Sequence, residues 1–141
     1  MVQWGMARRG RSVLIVDDDE GVRDLLSLLI KKEGYLVETA SDGDEGYRRA
    51  LALRPDLLIL DLMLPRRGGF ELLRELQGTD LARTPVIVVT GRSTDPSTSD
   101  LIRRESNVVA LMGKPLKTAG FLAAVHKELR PASVAGEAGE A

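Results

Sequence analysis

Four short apolar runs, each delivered onto a polar residue, constrain this chain more than any other feature. Ser12–Val16 (SVLIV) runs into Asp17, Asp18 and Asp19. Asp56–Leu60 (DLLIL) runs into Asp61. Pro85–Thr90 (PVIVVT) closes on Thr90, and Asn107–Gly113 (NVVALMG) runs into Lys114. Runs of this length, rich in β-branched residues and mostly without alternation, predict strands covered on both faces. Tyr35–Ala40 alternates instead, which predicts an edge strand.

Helical periodicity fills the gaps between these runs. Gly21–Glu33 carries Val22, Leu25, Leu26 and Leu29 at helical spacing, and Gly34 stops it as a residue free to take a left-handed cap. Gly43–Leu53 brings Tyr47, Ala50 and Leu51 to one face before Pro55 forbids continuation. Phe70–Gln77 aligns Phe70, Leu73 and Leu76. Pro96–Glu105 is polar apart from Leu101 and Ile102, with Asp95 as its N-cap and Pro96 at its first position. Thr118–Leu129 turns Phe121, Leu122, Val125 and Leu129 inward.

The order is strand then helix, five times. It predicts an α/β fold with a five-stranded, doubly wound parallel sheet and right-handed crossovers. Ligands of such sheets lie beyond the carboxyl ends of the strands, where Asp17, Asp18, Asp61, Thr90 and Lys114 all fall. The domain is expected over residues 12–130. A flexible basic lead is expected over residues 1–11 and a disordered tail over residues 131–141 (PASVAGEAGEA).

Composition removes several classes of function. There is no cysteine, so disulfides, thiolate metal sites and cysteine nucleophiles are out. A net charge of −1 gives no electrostatic footprint for bulk nucleic acid or a membrane surface. No apolar run reaches the length of a membrane span, and Met1–Arg11 has basic residues but no apolar core of a signal peptide after them. The expectation is a cytoplasmic protein. No glycine-rich phosphate loop follows the first strand, so ATP is not expected as a direct substrate.

The polar set has a chemistry of its own. Carboxylates held together repel and resist joint ionisation. A hard dication relieves that repulsion, and Mg²⁺ takes oxygen donors and commonly shares carboxylates with a phosphate. Lys114 adds a point charge suited to a carboxylate or a phosphoryl oxygen, and Thr90 adds a hydroxyl donor. A carboxylate facing solvent can serve as a nucleophile and form an aspartyl phosphate. These residue types suit phosphoryl transfer to Asp61. Asp19 reads as the N-cap of the first helix, His126 as a surface or boundary residue, and Arg103 and Arg104 as a solvated face.

The segments VLIVDDD, LLILDLMLP, VIVVTG and GKPL, in this order and at these spacings, resemble the receiver domain of bacterial two-component response regulators. The resemblance spans roughly residues 12–130. It implies a flavodoxin-like (βα)5 fold with strand order 2-1-3-4-5, and a phosphoacceptor rather than a conventional enzyme. It implies Asp17 and Asp18 as the acidic pair, Asp18 more than Asp17 as the direct metal ligand. It makes Asp61 the phosphoacceptor, also touching Mg²⁺, and lends the Met63 backbone carbonyl to the metal. Thr90 becomes the hydroxyl that turns inward on phosphorylation. Gly91 becomes the small residue that leaves the acceptor accessible, Lys114 the phosphate-pairing lysine, and Pro115 a proline often preceded by a cis bond. Met63 and Arg92, two residues beyond Asp61 and Thr90, fall where phosphoryl lifetime is tuned.

Three positions depart from the family pattern. Leu111 stands where an aromatic residue usually moves with the threonine. RRGG follows Pro65, where an acid commonly precedes the glycine matched by Gly69. Asn107-Val108 replaces a Gly-Ala pair. The first and third of these bear on the output face formed by the fourth helix and the fifth strand rather than on the acid pocket.

The expected partners are a histidine kinase or a histidine phosphotransfer protein. A downstream protein is expected on the face of the fourth helix, fifth strand and fifth helix. No direct nucleic-acid or membrane contact is expected, and the chain should be a monomer or weak dimer. A stand-alone single-domain regulator is the leading reading. A receiver fragment of a larger regulator and a pseudo-receiver binding module are the alternatives. An aspartyl-phosphate phosphatase with a DxD motif is a further one, though such enzymes place the nucleophile after the first strand and usually carry a cap or a larger core.

Overall fold

The computed structural model describes residues 11–91, 96–105 and 107–129. Ten elements follow one another: β1 (Ser12–Val16), α1 (Glu20–Lys32), β2 (Leu36–Ala40), α2 (Gly43–Leu53), β3 (Leu57–Asp61), α3 (Gly69–Leu76), β4 (Val86–Thr90), α4 (Pro96–Arg103), β5 (Val108–Gly113) and α5 (Thr118–Leu129). All the strand pairings are parallel, and the order is β2-β1-β3-β4-β5. The doubly wound parallel sheet is what the strand–helix alternation predicts, and the flavodoxin-like order is the one the family resemblance implies.

β1, β3 and β4 are buried along their whole length, as their uninterrupted apolar runs require. Because strand side chains alternate between faces, each strand feeds two separate core layers. Val13, Ile15, Leu57, Ile59, Ile87 and Val89 pack under α1 and α5 against Leu26, Ile30, Phe121 and Val125. Leu14, Val16, Leu58, Leu60, Val86 and Val88 pack under α2, α3 and α4 against Ala50, Leu72, Leu73 and Ile102. Each fully buried leucine or isoleucine contributes about 2 kcal/mol.

Some sequence expectations shift. α1 buries Leu26 and Ile30, whereas Leu25 is half exposed. Five of the six residues from Leu25 to Ile30 are apolar, so periodicity alone does not choose the inward face. α3 buries Leu72 alongside Leu73 and Leu76, with Phe70 only partly covered. Asp61 is the last residue of β3 rather than the first residue past it. Asp19 caps α1 as expected, its carboxylate accepting from the Val22 N–H at 3.1 Å. Asp95 and residues 1–10 and 130–141 lie outside the described residues. His126 is half-buried and tied on both sides: its Nδ1 lies 2.6 Å from the Tyr35 hydroxyl and its Nε2 2.9 Å from Glu33 Oε1.

β5 carries an irregularity. Val108 pairs with Val86 but Ala110 with Ile87, so Val109 is an extra residue opposite no partner, and it is exposed. The bulge sits beside Asn107, which is buried and knits the start of the strand: its Nδ2 donates to the Thr84 carbonyl at 2.9 Å, and its Oδ1 accepts from Gln77 Nε2 at 2.7 Å.

Candidate phosphoacceptor site

Register places the polar residues. Val16 of β1 lies opposite Leu60 of β3, so the next residues along, Asp17 and Asp61, emerge side by side. Thr90 of β4 lies opposite Gly113 of β5, which puts Lys114 next in line, and the Lys114 N–H donates to the Thr90 carbonyl at 2.9 Å. The Lys114–Pro115 bond is cis. Parallel strands of matched length thus collect one residue from each carboxyl end.

Asp17, Asp61 and Thr90 are buried, and Asp18 is exposed at the rim. One carboxylate oxygen each from Asp17, Asp18 and Asp61 lies within 4.8 Å of the others. Lys114 Nζ reaches Asp17 Oδ2 at 2.7 Å and Asp61 Oδ2 at 3.3 Å. The remaining oxygens are held by backbone: Asp61 Oδ1 accepts from the Met63 N–H at 3.1 Å, and Asp17 Oδ1 from the Asp19 N–H at 2.9 Å. Each buried carboxylate is therefore oriented from both of its oxygens, by Lys114 on one and by a backbone N–H on the other.

The electrostatics follow. Burial pushes the Asp61 carboxyl above the usual carboxylate range and the Asp17 charge adds to it, against the opposing pull of the Met63 N–H and Lys114. Burial draws the Lys114 ammonium down, but the hydrogen bond and charge of Asp17, joined by Asp61, outweigh it and hold the lysine above its ordinary value. Lys114 is thus a fixed cation between two acids. Three carboxylates against one ammonium leave excess negative charge and hard oxygen donors, a donor set that fits Mg²⁺.

The other expected site residues fall around this centre. Met63 has an exposed side chain. Gly91 is exposed, and a methyl added there would make only ordinary contact with the Lys114 stem at 3.7 Å. Leu111 lies in β5, part-buried against the layer that contains Val86, Val88 and Ile102. Arg92 lies outside the described residues. One contributor escapes sequence reading: Arg23, whose Nη1 donates to the Asp17 carbonyl at 2.7 Å from the end of the first turn of α1. A cation one turn into the helix after an acidic triplet is the only hint of it in the sequence.

This fold and pocket define the receiver class of signalling proteins. A family model for the response regulator receiver domain matches residues 13–126, and the chain belongs to that family. The alkaline phosphatase synthesis transcriptional regulatory protein PhoP of Bacillus subtilis is 32% identical over 130 residues, covering 92% of this chain and 53% of PhoP. The chain thus spans about half the length of that relative. The chemotaxis protein CheY4 of Vibrio cholerae superposes with a TM-score of 0.77 at 27% identity, covering 86% of this chain and 100% of that one. The receiver domain of the sensor histidine kinase PA1611 of Pseudomonas aeruginosa, a structure with magnesium in its active-site cleft, shares the fold. Its TM-score is 0.75 at 22% identity, covering 85% and 98%. Among the described residues no helix is long and apolar enough to cross a membrane.

Proposed function

We propose that this chain accepts a phosphoryl group on Asp61 from a phosphohistidine of a histidine kinase or histidine phosphotransfer protein, and signals through protein contacts. The observation that carries this reading is the convergence of Asp17, Asp18 and Asp61 within 4.8 Å, with Lys114 bridging two of them. Asp17, Asp18, Asp61 and the Met63 carbonyl would hold Mg²⁺, which when bound offsets the negative charge on the transferring phosphoryl oxygens.

The chain's own part is positioning. A carboxylate oxygen of Asp61 attacks phosphorus as the P–N bond of the donor breaks, and the imidazole leaves with the electron pair. Lys114 keeps its proton and moves its pairing from Asp61 to a phosphoryl oxygen. The Thr90 hydroxyl supplies a further hydrogen bond, and Gly91 keeps the approach open. Met63 and Arg92 tune how long the group survives. Asp61 is restored when water takes the phosphoryl group away.

Output goes to a downstream protein on the α4–β5–α5 face, where Leu101 and Val109 are exposed. With Leu111 filling the place of the usual aromatic, the Thr90 movement is transmitted by shifts in packing against Ile102 and Val88 rather than by rotation of a ring. The site of action is the cytoplasm. The extra length of PhoP supports a second reading, in which this chain is the receiver part of a longer regulator. The size of the product detected in cells with an antibody to the domain decides between them.

The test is intact-protein mass after incubation with acetyl phosphate and Mg²⁺. A single phosphoryl adduct that disappears with EDTA and in Asp61→Asn supports the reading. An unmodified wild type that also fails to bind Mg²⁺ overturns it in favour of a binding module that works without phosphate.

A further inference from the structure

The segment 62–68 joins β3 to α3 and contains Met63, whose N–H holds Asp61 Oδ1. It is closed at its base, where the Gly69 N–H donates to the Leu62 carbonyl at 3.0 Å. It is also pressed onto the start of α2. The Gly43 N–H donates to the Pro65 carbonyl at 3.3 Å, and a side chain at Gly43 would collide with the Arg67 carbonyl oxygen.

One side chain spans these contacts. The Arg67 guanidinium lies over the Tyr47 ring, 4.5 Å from its centroid. Its Nε lies 3.4 Å from Asp44 Oδ1 and its Nη1 2.6 Å from Glu75 Oε1. Tyr47 and Asp44 belong to α2 and Glu75 to α3, so Arg67 fastens the segment to both helices. The side chain is 24% exposed, and Nη1 is wholly shielded, close to Glu75 but not aligned with it in a directed hydrogen bond. Isolated surface ion pairs count for little. A largely covered guanidinium stacked on an aromatic ring is a different case, although the Asp44 and Glu75 carboxylates it faces are exposed. The neighbouring Arg66, 68% exposed and 3.4 Å from Asp42, is the surface case.

We infer that Arg67 is a positioning residue that holds the Met63 carbonyl and the Met63 N–H in place for the metal-binding form of the site. The inference rests on the proposed Mg²⁺-dependent phosphoacceptor role. Mg²⁺ requires near-octahedral geometry, so a backbone carbonyl on a loosened segment is a poorer ligand than one on a fastened segment. Arg67 acts on affinity through this segment without touching the metal or Asp61.

The experiment titrates Mg²⁺ into wild type, Arg67→Met, Arg67→Lys and the double variant Asp44→Asn/Glu75→Gln by calorimetry. Acetyl phosphate labelling is then measured at limiting and saturating Mg²⁺. Arg67→Met is expected to raise the Mg²⁺ Kd roughly tenfold, the low end for loss of a group that orients a metal ligand, with labelling reduced more at limiting than at saturating Mg²⁺. Arg67→Lys should recover part of the affinity, because the charge remains while the planar fork is lost. A wild-type Kd in Arg67→Met overturns the inference. Should that variant not fold, the double variant, which keeps Arg67 and removes its anionic partners, decides in the same way. A wild type without Mg²⁺-dependent labelling would instead fail the phosphoacceptor reading itself.

Discussion

Lys114 Nζ donates to Asp17 Oδ2 at 2.7 Å, the shorter of its two carboxylate contacts, with Asp61 at 3.3 Å. The lysine is therefore anchored by an acid that is not the proposed acceptor. It can exchange Asp61 for a phosphoryl oxygen without leaving its seat.

That anchoring separates the chemistry from the response in Lys114→Ala. Labelling of Asp61 is expected to persist, whereas the backbone changes that follow it should be lost. Amide chemical shifts before and after phosphorylation measure this, and equal shifts in variant and wild type would remove the lysine from the switch. In metal-free buffer the same variant should lose about 1.5–3 kcal/mol, the range for hydrogen bonds to charged groups, because Asp17 and Asp61 are left facing each other.

The raised pKa of Asp61 makes its sign of linkage unusual for a carboxylate. The folded state binds the proton more tightly than the unfolded chain, so ionisation opposes folding. Stability is lost as pH rises from the ordinary aspartate range through the raised value, and none is lost below both. Asp61→Asn in EDTA should therefore melt above wild type at neutral pH, with the gain fading in acid. Mg²⁺ should narrow the difference, since at about 100 times its Kd it stabilises wild type by about 2.7 kcal/mol. A lower melting temperature for Asp61→Asn at neutral pH in EDTA would contradict the electrostatic account.

Gly69 is a place where the backbone leaves no room. A side chain there would overlap the Asp61 carbonyl oxygen and lie 2.6 Å from Leu62 Cα. Since backbone cannot swing aside as a side chain can, Gly69→Ala should cost about 3 kcal/mol and displace the end of β3. Denaturant titration reads the first effect, and loss of Mg²⁺ affinity reads the second. A variant of wild-type stability would show that the segment yields easily, which would also weaken the role given to Arg67.

The parts of this architecture legible in the sequence are those where one physical demand dominates. β1, β3 and β4 must satisfy two apolar layers at once, so their residues read as strands without alternation. Asp17, Asp61 and Lys114 are legible because strand ends in a parallel sheet share one edge. The choice of Ile30 over Leu25 is not legible, because leucines surround much of α1 and the sheet surface it packs on selects among them. Arg23 and Arg67 are hidden for a related reason. An arginine on a helix or in a turn looks solvated until the fold turns a carbonyl, a ring or two carboxylates of neighbouring segments toward it. Asn107 likewise gains its role only once Gln77 and Thr84 arrive beside it.

The division of the core into two layers has a consequence for how such a protein can diversify. Alternate residues of the same three buried strands face opposite helices, so the main chain of the sheet acts as a partition. Repacking beneath α1 and α5 is insulated from repacking beneath α2, α3 and α4, and each side can adapt to a different partner. The rim where Asp17, Asp61, Thr90 and Lys114 emerge is the common border of the two compartments. A change of charge there is an event to which both sides of the molecule are exposed at once.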